Sequence, residues 1–203
     1  ATGYERAMSA IIDAFDRVDI LVNASRKMAV SNALAPDADA VEELWRQNVL
    51  SALRMSQCVA RRMIQHAEKA EVEPGTMIGS IINLSSIAAQ VNRPELLDYS
   101  MGAAPIDQMT RSMALALAPK GIRVNAVAFG SVMSGSLQTA LKDNPDFRDE
   151  IAAVTPLQRI AAPAEIAETV QFLASDASGF ITGQVLAVDG GRSLLDAATP
   201  PAH

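Results

Sequence analysis

The chain has 203 residues, 49% of them apolar, and a formal net charge of −6. That length and apolar content suffice for one buried core, while the acidic balance without any Lys/Arg run argues against nucleic acid or an anionic membrane surface as a partner. One cysteine (Cys58) and two histidines (His66 and His203) leave neither a disulfide framework nor a paired metal-ligand set, and they point to a reducing, cytoplasmic setting.

No apolar run reaches the roughly 18 residues of a membrane helix, and no signal-peptide pattern is present. Residues 1–203 read as a single domain. Tyr4, Met8, Ile11, Ile12 and Phe15 mark one helix face at the very start, so the chain is expected to open inside a fold. Val18 to Ala24 is a short apolar run without polar alternation, which predicts a parallel strand buried on both faces. A loop with Asn32, Pro36 and Asp37 leads to a long helix carrying Val41, Leu44, Trp45, Asn48, Ala52, Met55 and Val59 at helical spacing. Trp45 is expected to pack in the core.

A strand over Thr76 to Leu84, a Ser-Ser turn, a helix from about Tyr99 to Ala118 and a strand over Ile122 to Ala128 follow. Pro105 fits only the first turn of a helix without loss of a backbone hydrogen bond, which predicts a displaced helix start. Short helices near Ser136 to Lys142 and Asp146 to Val154 precede a better one after Pro163, with Glu165 in its first turn. Gln184 to Val188 is the last strand, and the tail from Thr199 to His203 is expected to fray. This alternation predicts an α/β, Rossmann-like, doubly wound parallel sheet that takes ligands at the carboxyl ends of its strands.

Three polar clusters follow strands directly: Asn23, then Ser85 and Ser86, then Gly130 to Ser134. Each alone also has a structural reading, since serines cap helices and glycine serves turns. Their combination with other positions is more specific. Asn48, the run Asn83 to Ser86 (NLSS) and Tyr99, thirteen positions beyond Ser86, stand in the order and spacing of the short-chain dehydrogenase/reductase family, which the chain resembles. DILVN (Asp19 to Asn23), GIRVNAV (Gly121 to Val127) and ITGQVLAVDGG (Ile181 to Gly191) extend the resemblance over essentially the whole chain.

The resemblance implies that Tyr99 exchanges the substrate hydroxyl proton, Ser86 hydrogen-bonds the reacting oxygen and Asn48 holds a relay water. It gives Asn23, Gly130, Val132 and Ser134 cofactor-facing positions, and makes Met133 to Phe147, with Ser136, Gln138 and Lys142, the substrate-covering loop. The family's lysine, four residues after the tyrosine, is here Ala103. An unassisted phenol ionises near pH 10, so only about one part in a thousand is a base at pH 7. The neighbours Gly102, Ala104 and Pro105 supply no cation. Arg26 replaces a glycine beside the cofactor cleft, Phe129 replaces a proline, and no GxxxGxG turn for a pyrophosphate is present.

The family's N-terminal βαβ cofactor half is thus expected to be absent from this chain, leaving the strand at Asp19 to Ala24 as an open edge. These losses predict a degenerate, non-catalytic subunit that binds neither cofactor nor metal. It would assemble as a hetero- or homo-tetramer, in the first case with an active homologous subunit that uses NAD or NADP on a hydroxyacyl or 3-oxoacyl thioester. Hetero-oligomeric members with one inactive subunit occur in the family, as in the hydroxyacyl-CoA dehydrogenase of anaerobic toluene breakdown. The alternative is an active NAD(P)-dependent oxidoreductase, similar to 3-oxoacyl thioester reductases, that uses a substitute for the lysine.

Overall fold

The computed structural model describes residues 3–35 and 39–195. Pro36 and Asp37 of the predicted loop, and the tail from Thr199 to His203, lie outside the described residues. Strands β1 (Ile20–Asn23), β2 (Gly79–Ser86), β3 (Ile122–Phe129) and β4 (Val185–Val188) form one parallel sheet in the order β1-β2-β3-β4. Helix α1 is Gly3–Phe15. Helix α2 (Val41–Leu44) runs through a π-helical turn (Trp45–Leu50) into α3 (Ser51–Lys69), and α4 (Leu97–Leu117) crosses from β2 to β3. The chain returns to β4 through α5 (Gly135–Asp143), α6 (Phe147–Ala153) and α7 (Pro163–Ala174).

Alternation along the strands divides the core between the two faces of the sheet. Ile81, Ile122 and Val124 pack with Met8 of α1, with Val59, Ala60 and Met63 of α3, and with Ala114 of α4. Ile82 and Val127 face the other way, against Ile166 and Leu173 of α7. The doubly wound parallel sheet expected from the sequence is the observed fold.

β2 and β3 have neighbours on both sides, whereas among the described residues β1 pairs only with β2. Ile20 and Val22 are accordingly 48% and 39% exposed although both are apolar. The first strand is therefore the open edge that its surroundings in sequence predicted. An open groove beside it is lined in part by Tyr4, Leu21, Asn23, Ser51 and Met55.

Three local expectations are corrected. β2 continues through Ser85 and Ser86, where a turn was expected, because both residues pair in register with Ala128 and Phe129 of β3. α4 begins at Leu97 and carries Pro105 in its interior, so its start is not displaced. The carbonyl that loses a donor there is that of Met101. Trp45 is 43% exposed and is not a core residue.

Candidate active site

At the carboxyl ends of the strands a chain of side-chain hydrogen bonds ties α3, β1, β2 and α4 together. The Asn23 amide donates to Ser56 Oγ (2.9 Å) and to Asn83 Oδ1 (2.8 Å). Asn83, fully buried, donates onward to Thr110 Oγ1 (2.9 Å), whose hydroxyl returns to the Ile106 carbonyl (2.8 Å). Each polar group is satisfied, which is what makes such a network tolerable inside a core. Asn23 therefore serves here as a strand-end connector.

Asn48 sits in the π-helical turn, where the Ser51 N–H reaches back five residues to the Arg46 carbonyl. Single wide turns of this kind recur at functional positions because they redirect side chains without ending the helix. Asn48 is buried, and its amide holds the backbone of Lys27: Lys27 N donates to Oδ1 and Nδ2 donates to Lys27 O, both at 2.8 Å. Its side chain is thus committed to the loop after β1, whereas the resemblance had assigned Asn48 to a relay water.

Ser86 ends β2. Its Oγ accepts from Ala88 N (3.1 Å), capping a short 3-10 turn over Ile87–Ala89, and the hydroxyl keeps its own proton to donate. Ala88, whose N–H Ser86 accepts, also packs against Tyr99, with Leu44 completing the cluster. The start of α4 is fixed by Asp98, whose carboxylate accepts from Ala40 N (2.7 Å) and whose own N–H donates to Ser31 Oγ (3.2 Å). Tyr99 is only 8% exposed, and Ala103, one turn further along the same face of α4, is fully buried.

Sequence reasoning took Arg26 only as bulk beside a cleft and found no cation near Tyr99. The structure corrects this. The Arg26 guanidinium lies over the Tyr99 ring, its Cζ 4.9 Å from the centroid, and 5.9 Å from the centroid of Phe129. Both distances are within cation–π range. Nη1 donates to the Leu84 carbonyl at 3.1 Å, while Nε and Nη2 are buried and donate to nothing among the described residues. Burial pulls the guanidinium below its ordinary pKa, with Tyr99 and Asp107 acting in the opposite direction. An arginine remains charged at neutral pH under such conditions. The available sequence signal was the pairing of a lost cation at position 103 with a gained one at position 26.

Asp107 lies one turn of α4 beyond Ala103 and is buried. Burial raises its carboxyl above the ordinary value, opposed by the hydrogen bond from Ser85 and by the charges of Arg111 and Arg26. Beyond Phe129, Gly130 N donates to the Val188 carbonyl (3.1 Å), and Val132 bridges Ala161. Ser134 caps α5 by accepting from Leu137 N (3.3 Å). Ser136, Gln138 and Lys142 fall in or beside α5, so the predicted covering segment is largely helical. Val132 and Phe129 pack with the core cluster of Ile82, Val127, Ile166 and Leu173, and Phe129 also faces the Arg26 guanidinium.

The site therefore gathers two hydroxyl groups, a cation and an apolar ring around the ends of β2 and β3. Such a set can hydrogen-bond an oxygen atom and exchange a proton with it. The orphaned Nε and Nη2 donors call for oxygen acceptors, which the hydroxyls of a nicotinamide nucleotide supply, so the residues present fit that cofactor. Among the described residues no cluster of three His, Cys, Asp or Glu side chains is placed to hold a metal, and no helix is long and apolar enough to cross a membrane.

Comparison with known proteins agrees with this geometry. A family model described as enoyl-(acyl carrier protein) reductase matches residues 1–193. The chain is 32% identical over 197 residues to a short-chain dehydrogenase of Penicillium roqueforti, covering 94% of this chain and 71% of that protein. It is 32% identical over 192 residues to galactitol 2-dehydrogenase (L-tagatose-forming) of Cereibacter sphaeroides, covering 93% and 70%. Among solved structures, gluconate 5-dehydrogenase from Burkholderia cenocepacia in complex with NADP and tartrate superposes with a TM-score of 0.82 at 30% identity, over 95% of this chain and 71% of that one.

Proposed function

The chain belongs to the short-chain dehydrogenase/reductase family, and on that premise we propose that it is an NAD(P)-dependent oxidoreductase that interconverts a secondary alcohol and a ketone. The observation that carries the reading is the Arg26 guanidinium lying 4.9 Å from the ring centroid of the buried Tyr99, with its Nε and Nη2 buried and without a hydrogen-bond partner among the described residues. The nicotinamide nucleotide, when bound, accepts or returns the hydride. Tyr99 exchanges the proton of the substrate oxygen, and Ser86 donates a hydrogen bond to that oxygen, steadying the charge that develops on it. Asn48 and Asn23 keep these groups in place. Asn48 anchors Lys27, next to Arg26, and Asn23 locks β1 to β2.

Two of the relatives named above are a galactitol dehydrogenase and a gluconate dehydrogenase, and a polyol and a sugar acid both offer a secondary alcohol. The test is an assay of the full-length protein with NAD+ and NADP+ against a panel of polyols, sugar acids and 3-hydroxyacyl thioesters, with Tyr99→Phe alongside. Turnover of one class that falls by roughly 10²-fold or more in the variant supports the reading. Turnover that survives in the variant removes Tyr99 from the mechanism.

A second reading is favoured by one observation: the Arg26 guanidinium lies 5.9 Å from the Phe129 ring centroid, both being departures from the family pattern, and a buried Ala103 stands in the lysine position. Under it the chain is a non-catalytic subunit that binds no cofactor and assembles, as a hetero-tetramer, with an active homologue working on hydroxyacyl or 3-oxoacyl thioesters. Native mass spectrometry of the complex from its source cells separates the two. A second family member in fixed ratio supports the silent subunit, and a homo-oligomer carrying nicotinamide nucleotide supports the active enzyme.

A further inference from the structure

We propose that Arg26 replaces the missing lysine, entering from the loop after β1 rather than from α4. The inference rests on the oxidoreductase reading and concerns how the site compensates for Ala103. A lysine at position 103 would have supplied a positive charge near Tyr99 from one turn further along its helix. Ala103 is fully buried and has no charge, but the guanidinium of Arg26 lies 4.9 Å from the Tyr99 ring centroid. The number of cations beside the tyrosine is thereby conserved while the strut that carries the cation has changed.

The hydrogen-bonding pattern of the guanidinium suits the second task of such a cation. Nη1 is used up on the Leu84 carbonyl, which fixes the group against the end of β2. Nε and Nη2, the two nitrogens left without partners, form one edge of the guanidinium plane with parallel N–H bonds. That edge is matched to two neighbouring oxygens, such as the vicinal hydroxyls of a ribose. Asn48 holds this device from behind, because Lys27, the next residue, is fixed in both directions by its amide. Arg26 is therefore a positioning residue for Tyr99 and a binding residue for the cofactor ribose. In the direction of alcohol oxidation, the Tyr99 oxygen would take the substrate O–H proton with the Arg26 guanidinium held 4.9 Å from its ring centroid, and the electron pair of the breaking C–H bond would be taken up by the nicotinamide, leaving the carbonyl.

The alternative role for Arg26, a plug in the cleft, predicts the opposite sign of every effect, so substitution decides between them. Equilibrium titration of NADH and NADPH fluorescence is measured on the full-length protein and on Arg26→Gly, Arg26→Met, Arg26→Lys and the double variant Arg26→Gly/Ala103→Lys. Circular dichroism melting checks that each is folded, and Arg26→Met keeps the aliphatic stem if the glycine variant is not. The expected result is affinity weaker by about tenfold or more in the glycine and methionine variants, as for loss of a charged two-point hydrogen bond. Partial retention is expected in Arg26→Lys and recovery in the double variant. Turnover falls in parallel, and added guanidinium ion partly restores it in Arg26→Gly, an effect that a merely structural role does not produce. Tighter cofactor binding by Arg26→Gly, or turnover unchanged in Arg26→Met, overturns the inference while leaving the oxidoreductase reading intact. Absence of binding and turnover in the wild type and every variant removes both.

Discussion

Asn48 and Lys27 are joined by two hydrogen bonds of 2.8 Å running in opposite directions, side-chain amide to peptide N–H and to peptide C=O. Because Asn48 sits in the π-helical turn and Lys27 follows Arg26, this pair fixes the loop that carries the guanidinium to Tyr99. Asn48→Ala leaves both peptide groups of Lys27 without their partner. The expected cost is about 1–3 kcal/mol of stability, measured by urea unfolding. Asn48→Asp keeps the acceptor for Lys27 N but sets a carboxylate oxygen against the Lys27 carbonyl, so it is expected to be no better than alanine. Wild-type stability in both variants would show that the pair does not hold the loop.

The Asn23–Asn83–Thr110 chain makes a second prediction, since all three side chains depend on Asn83. Replacing Asn83 by leucine, of similar size, removes one of the two bonds made by the Asn23 amide and the donor to Thr110 Oγ1, while Ser56 and the Ile106 carbonyl remain as partners, and the expected cost is roughly 1–3 kcal/mol in all. In a double-mutant cycle of Asn23→Ala with Asn83→Ala, a coupling of about 0.5–3 kcal/mol is expected, as for residues sharing one network. Simple additivity in that cycle is the result that removes the connection.

The sheet was legible because periodicity reports burial: the apolar runs ending at Ala24, Leu84 and Ala128 are the three paired strands around the site, with ends displaced by at most three residues. Ser85 and Ser86 misled because serine favours turns locally, yet strand pairing with β3 outweighs that preference. Pro105 misled in the same way: the tertiary packing of α4 outweighs the loss of one backbone bond. The site was half legible. Spacing located Ser86, Tyr99 and the lost cation at Ala103, but no periodicity links position 26 to position 99, which lie on different elements and meet only through the fold. The weight first given to a silent subunit came from counting Arg26 as a loss. The family relatives, which include named dehydrogenases, favour the active alternative instead.

Acid should weaken the entry to α7. Arg159 grips Glu165 through both nitrogens at 2.7 Å, and Glu165 also accepts from Ala162 N at 2.8 Å, which together hold its carboxyl down to about 2. A carboxyl depressed in the folded state stabilises the fold above its unfolded value of about 4.3 and loses that contribution as pH falls toward the folded one. The difference in melting temperature between wild type and Glu165→Gln should thus be largest at pH 6 and shrink between about pH 4 and pH 2. The pair is solvent-exposed, so the difference should also shrink in high salt. A gap that widens on acidification contradicts the assignment.

Two glycines close to each other in sequence should respond to alanine with opposite signs. A Cβ at Gly130 would stand 3.0 Å from Asp189 Cβ and 3.1 Å from its Cα, so the ends of β3 and β4 would have to part. Asp189 has little freedom to move, because its carboxylate accepts from Gly191 N (2.9 Å) and Ser193 N (2.7 Å). Gly130→Ala is therefore expected to cost about 1–3 kcal/mol, the usual range for overpacking. A Cβ at Gly135, the first residue of α5, meets nothing within 4 Å. Gly135→Ala should be neutral or stabilise by roughly 0.5–1 kcal/mol, because alanine loses less backbone entropy in a helix. Paired urea unfolding curves measure both. Equal effects at the two positions would mean that backbone entropy alone, and not the approach of Asp189, sets the demand for glycine after β3.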